Sequence, residues 1–235
     1  TAPELEYLLL NSGATALIVD PDHASIGKDV ATRVGIQPDR VIVLGNQYNG
    51  WRDSQPDTDH PNTISGSALI YTGGTTGASK GVTRPDSGAP VSSWAKGVST
   101  WGSFVGMPEK GVALLATPLY HAFGAGVLGA ALARNHTVVL KDRFDVDDFL
   151  DSIQQYRVTS APLVPTLIVR LAKLDGNHFT SRDLSSLQWI AHTAVPCPGW
   201  AKQRLIDVLG PCIVEFYGSS EGTGPVVCTS QDWME

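Results

Sequence analysis

The chain has 235 residues, a formal charge of -6 and an apolar share of 42%. That is enough to bury a core in one large domain or two small ones, and the acidity, with no basic stripe, excludes a general nucleic-acid binder. The apolar runs at 111–116 and 124–133 are too short or too glycine-rich to cross a bilayer, and no basic-then-apolar leader opens the sequence.

Residues 15–20 (TALIVD) read as a buried strand, 24–34 as a helix and 40–44 (RVIVL) as a second strand, which makes a βαβ unit. The polar stretch 45–65 reads as a surface linker, so a first subdomain is expected over 1–62 and a nucleotide-binding one over 63–235. A strand over 68–72 then leads into a glycine-rich turn. Further along, helices are predicted over 91–104, 123–133, 146–156, 166–174 and 199–209, and strands over 112–116, 137–140, 160–164, 187–191 and 213–217. This alternation predicts an α/β fold of mostly parallel sheets with helices on both faces. The aspartates at 145, 147, 148 and 151 read as a solvated helix start, not a metal site. Cys197, Cys212 and Cys228 lack metal-ligand spacing and read as reduced core thiols of a cytoplasmic protein.

The stretch YTGGTTGASKG (71–81) carries the chemistry. Gly73, Gly74 and Gly77 allow close backbone approach and positive φ, and successive free N–H groups in such a turn make an anion-binding concavity. Thr72, Thr75, Thr76 and Ser79 add hydroxyls, and Lys80 adds a compact cation. The implied ligand is a polyphosphate. The spacing is not that of a P-loop, because Ser79 precedes the lysine and Gly81 follows it.

YTGGTTGASKG resembles the signature of the adenylate-forming enzymes, the superfamily of acyl-CoA synthetases, luciferases and peptide-synthetase adenylation domains; Ser79 replaces the usual proline. Three more stretches agree, in family order: TPLYHAFG (117–124), IAHTAVPCP (190–198) and VEFYGSSEG (214–222). The resemblance covers essentially the whole chain. It implies a partial N-terminal domain of an acyl-CoA synthetase, without the family's small C-terminal domain, ribose-binding aspartate or late catalytic lysine. Such a fragment is expected to be weakly active or inactive.

The resemblance also implies roles. Thr72, Gly73, Gly74, Thr75, Thr76, Gly77 and Lys80 would grip the ATP phosphates. His121 would lie by the acid carboxylate. Ala194, Val195 and Pro196 would lie against adenine, although His192 and Thr193 replace a frequent glycine pair. Tyr217 with Gly218 would stack on the base, Ser220 would meet the α-phosphate, and Glu221 would hold Mg²⁺. The catalytic set is thus His121, Lys80 and Glu221, with Lys80 and Glu221 serving one magnesium-triphosphate. The co-substrates would be ATP, coenzyme A and a carboxylic acid, fatty or aromatic. The alternatives are a non-catalytic nucleotide- or acyl-binding remnant and an adenylation domain that loads a carrier protein.

The acid pocket would be lined by 122–128 and 216–219. Gly124, Gly126 and Gly129 read either as room for a long chain or, preferably, as close helix packing, and Trp94 and Trp101 read as core residues sharing one helix face. The first βαβ unit resembles part of a larger sheet, so its unpaired edges predict aggregation of the isolated chain.

Overall fold

The structure, a computed structural model, describes residues 1–58, 63–73, 77, 79–83, 88–222 and 226–235. The chain divides into two compact units: Thr1–Thr63 with Gly73–Gly81, and Ile64–Thr72 with Val82–Glu235.

The first unit opens with α1 (Ala2–Ser12), which stops at Gly13 in the left-handed conformation, φ 65 and ψ 29. β1 (Leu17–Val19), α2 (Ala24–Arg33) and β2 (Val41–Val43) then form the βαβ unit, its strands parallel with Leu17 opposite Val41. Leu9, Val19, Val30, Ala31, Ile36 and Val41 make its core. The polar stretch expected as linker is partly a helix, α3 (Asn46–Asp53). It buries no residue, so no apolar period announces it. Gln47 ties it to β2 instead: its Oε1 accepts from the Val43 N–H at 3.1 Å and its Nε2 donates to the Val41 carbonyl at 3.4 Å.

β3 (Ile70–Thr72) and β4 (Lys80–Val82) flank the glycine-rich turn. The second unit is built on a six-stranded sheet made of β5 (Gly111–Leu115), β6 (His136–Leu140), β7 (Ser160–Leu163), β8 (Trp189–His192), β9 (Ile213–Tyr217) and β10 (Val226–Thr229). Their order is β10-β9-β8-β7-β5-β6, and every pairing is parallel except that of β10 with β9. The helices are α4 (Val91–Phe104), α5 (Ala122–Ala133), α6 (Val146–Tyr156), α7 (Pro165–Ala172), α8 (Gly176–Thr180), α9 (Gly199–Leu209) and α10 (Ser230–Met234). The short elements α8, β10 and α10 are absent from the sequence reading.

Strand periodicity sorts side chains to two cores. Leu114, Ile190 and Ile213 meet Phe149, Ile153, Leu171 and Leu205 from α6, α7 and α9 on one face. Ala113, Leu115, Trp189, Ala191, Val214 and Phe216 meet Val127, Ala130 and Ala131 of α5 on the other. Helices therefore cover both faces of a mainly parallel sheet, which is the predicted class. The aspartates do start a helix: the Asp145 carboxylate accepts from the Asp148 N–H at 3.0 Å, and Arg182 bonds Asp147 at 3.1 Å and Asp151 at 2.6 Å. Of the three cysteines, which are all free thiols, only Cys212 is buried, and burial pushes its thiol up to about 11.

Trp189 is 1% exposed, and its indole N–H donates to the Val105 carbonyl at 2.8 Å, stitching the turn after α4 to the middle of the sheet. Trp189→Phe strands that carbonyl and leaves a small void. The expected loss is about 2–4 kcal/mol, read as a lower midpoint in urea denaturation.

Candidate active site at the carboxyl edge of the sheet

Because β5, β7, β8 and β9 run parallel, whatever follows each strand leaves from one edge of the sheet. Three of the four singled-out motifs follow such strands: 117–124 after β5, 193–198 after β8, and 218–222 after β9. The carboxyl edge of a parallel sheet is where α/β proteins place ligands.

His121 is the N-cap of α5, with extended backbone at φ -86 and ψ 145. It is exposed, and its ring lies 4.5 Å from that of Tyr120. The turn that presents it depends on Gly124, where an added Cβ would overlap the Pro118 carbonyl oxygen. Tyr217 ends β9 with 73% of its surface exposed, so its ring is accessible for stacking on a base. Gly218, Ser220 and Glu221 follow in the turn beyond it. The Glu221 carboxyl is held below its ordinary value by its own backbone N–H and by the Ser219 hydroxyl. It is therefore an exposed anion, and an exposed carboxylate is what a magnesium ion shared with phosphate oxygens needs from a protein.

Ala194 sits at φ 84, a left-handed conformation unusual for a residue with a Cβ. Val195 beside it is 55% exposed, and Pro196 follows in the same loop.

Of the glycine-rich turn, Thr72 closes β3, Lys80 opens β4 and is exposed, and the Ser79 carbonyl accepts from the Tyr7 hydroxyl at 2.8 Å. No described atom lies within 4 Å of a Cβ built at Gly73 or Gly77, so this backbone is open to approach. Gly74, Thr75 and Thr76 lie outside the described residues. Gly73, Gly77 and Lys80 belong to the first unit, and the remaining described candidates to the second.

The sequence reading missed a cluster of titratable groups at the strand ends that lead into the 193–198 loop. His192 ends β8, opposite Glu215 of β9. Lys202, on α9 and 3% exposed, pairs with Glu215, and its ammonium lies 5.2 Å from the centre of the Trp233 ring. His192 is fully buried, with its Nε2 3.9 Å from Glu215; among the described residues neither ring nitrogen has a hydrogen-bond partner. Burial pushes its pKa down from 6.5 to about 4; Lys202 adds to this and Glu215 opposes it. The imidazole is thus neutral. His192 was visible only as a departure from a glycine, and nothing in the spacing of Lys202 and Glu215 marks them as a pair.

Among the described residues, no group of three or more His, Cys, Asp or Glu could hold a metal, and no helix is long and apolar enough to cross a membrane.

The family model described as AMP-binding enzyme matches residues 1–235. The chain belongs to the AMP-binding enzyme family. It is 30% identical over 233 residues to feruloyl-CoA synthase of Amycolatopsis sp, covering 96% of this chain and 43% of that protein. The medium/long-chain fatty-acid CoA ligase FadD8 of Mycobacterium tuberculosis is 27% identical over 241 residues, covering 95% and 40%. Among solved structures, the amide bond synthetase McbA from Marinactinospora thermotolerans superposes with a TM-score of 0.79 at 25% identity, over 100% of this chain and 46% of that one. The N-terminal domain of FACL13 from Mycobacterium tuberculosis shares the fold, with a TM-score of 0.79 at 20% identity over 100% of this chain and 58% of that one. This AMP-binding chain therefore spans less than half the length of the curated relatives it matches.

Gly124→Ala forces the turn before α5 off the Pro118 carbonyl, at an expected cost of about 1–3 kcal/mol measured by thermal unfolding. His192 is depressed in the folded state, so its contribution to stability is complete above pH 6.5 and is lost as pH falls toward 4, where the unfolded chain takes up the proton first. Melting temperature followed by circular dichroism should fall through that window, and more shallowly in His192→Gln.

Proposed function

We propose that the protein containing this chain activates a carboxylic acid with ATP and passes the acyl group to a thiol, that of coenzyme A. The observation that carries this is the shared departure of the His121, Ala194–Pro196 and Tyr217–Glu221 segments from one edge of a parallel sheet, in the order the family has them. The curated relatives cited are CoA ligases by name, which supports a thiol as acceptor.

In the first half-reaction a carboxylate oxygen attacks the α-phosphorus, and the bond to the β-phosphate breaks. Pyrophosphate leaves with the electron pair, and an acyl-adenylate remains. In the second, the thiol sulfur attacks the acyl carbon and AMP departs. Little covalent work falls to the protein; it must align and neutralise. Lys80 and the bare backbone at Gly73 and Gly77 suit the phosphates, with Thr72, Gly74, Thr75 and Thr76 completing the turn. Tyr217 and Gly218 offer a face to adenine, and Ala194, Val195 and Pro196 lie against the base. Ser220 donates to the α-phosphate. His121, exposed at the first turn of α5, sits by the acid carboxylate. A magnesium ion held by Glu221 would supply charge neutralisation on the phosphate oxygens.

The test is pyrophosphate release by the full-length protein with Mg·ATP and a panel of acids, with and without coenzyme A. Lys80→Ala and Glu221→Gln should each lower kcat/KM about 10²–10³-fold. Tyr217→Ala should raise the KM for ATP about tenfold, the scale of one base-stacking contact. Nucleotide binding without pyrophosphate release would identify a non-catalytic binding module instead. Release that is followed by acyl transfer to an amine or to a carrier protein, and not to coenzyme A, would redirect the second half-reaction alone.

A further inference from the structure

The face of the sheet that α5 covers is closed by packing. A Cβ at Gly129 would lie 3.5 Å from the ring of Trp94, and one at Gly126 would lie 3.9 Å from the ring of Trp101, so these glycines serve helix contact. Trp94 is 50% exposed, so it covers α5 from the surface and is not the core residue expected; Trp101 is half-buried. Gly102, next to Trp101, lies so close to α5 that a Cβ would meet the Arg134 side chain at 2.8 Å. Arg134 itself donates to three backbone carbonyls, those of Ser99 at 3.1 Å, Met107 at 3.0 Å and Pro108 at 3.1 Å, which binds the end of α4 to the end of α5.

The other face is held by charge at its carboxyl end. Side chains alternate along a strand, and Phe216 packs with α5. Glu215 and Tyr217 therefore point to the face that α9 covers, the tyrosine one step beyond the carboxylate. The ladder between β8 and β9 pairs Ile190 with Ile213, Ala191 with Val214 and His192 with Glu215, and ends there. Beyond that rung, Phe216 and Tyr217 pair with Val227 and Val226 of β10.

The 193–198 loop leaves β8 at His192 and enters α9 at Gly199. Its two ends meet on one side chain. At the start, His192 is the ladder partner of Glu215, and its Nε2 lies 3.9 Å from Glu215 Oε2. At the end, Lys202, near the start of α9, pairs with the same oxygen. Trp233 of α10 backs this arrangement: its ring centre is 5.2 Å from the Lys202 ammonium, and its ring is 3.7 Å from a Cβ placed at Gly199. Without the carboxylate, an ammonium only 3% exposed would have no counter-charge. Loop start, loop end and the strand that ends in Tyr217 are thus joined through Glu215.

We propose that Glu215 is a positioning residue for the nucleotide: by holding both ends of the 193–198 loop to the strand that carries Tyr217, it sets the gap between that loop and the tyrosine ring in which the base is held. The proposal rests on the nucleotide-binding part of the reading above and deepens it.

The test is calorimetric binding of Mg·ATP to the full-length protein, with thermal unfolding measured alongside. Glu215→Gln keeps the shape and removes the charge. It should raise the Kd for ATP about three- to tenfold, up to the scale of one base-stacking contact. The double variant Lys202→Met/Glu215→Leu replaces the ion pair with apolar side chains, an exchange that often preserves stability. It carries the test if Glu215→Gln does not fold, and its Kd should rise to a similar extent with the midpoint near that of the wild type. Glu215→Gln added to Tyr217→Ala should raise the Kd no further, because one residue acts through the other. In pyrophosphate release the same variants should raise the KM for ATP and leave the KM for the acid in place. Folded variants with the wild-type Kd, or the same added loss in the Tyr217→Ala background, overturn the positioning role while nucleotide binding stands. Weaker ATP binding by the variants of a protein that releases pyrophosphate with no acid upholds the positioning role and removes acid activation. A wild type that binds no ATP overturns both.

Discussion

The parallel ladder through β7 is the constraint on which the second unit depends. β7 joins β5 on one side to β8 on the other, and with β9 these strands share one direction. Reversing any of them would send its following loop to the opposite edge of the sheet. Parallel neighbours require crossovers through helices on the sheet faces, and those helices supply the two apolar cores. Fold and site are therefore one problem: the same crossovers that bury Leu114 and Ile190 on one face and Leu115 and Trp189 on the other deliver the histidine, alanine and tyrosine segments together.

Most of that frame was legible before any coordinates. Helices over 91–104, 146–156 and 199–209 and the strand over 213–217 have the predicted bounds, because each carries a clear apolar period or capping residue, as Asp145 does for α6. The failures share a cause. α3 buries no residue and is tied to β2 by one glutamine's backbone bonds, which leaves no trace in hydropathy. β10 is four residues long and gains its place only by pairing with β9. The motifs were legible as residue types, since glycine, hydroxyl and lysine in one turn advertise an anion. The tryptophan-on-glycine packing was half legible: the shared face of Trp94 and Trp101 was evident, whereas what lay beneath them depended on a helix more than twenty residues away.

The His192–Glu215–Lys202 cluster was not legible as a unit, because its members converge through a strand–helix–strand crossover. Its energetics run against ordinary core design. A buried ammonium is tolerated because a carboxylate and an indole face meet it, and a buried imidazole because it gives up its charge. His192 ends β8 two residues before Ala194, which is in a left-handed conformation.

Arg134 has a consequence for how such a protein can change. Its three carbonyl bonds fasten α4 to α5 without involving the indole next door. The path of the helix end is therefore set by a side chain from its neighbour, and a change at position 101 leaves those three fastenings in place.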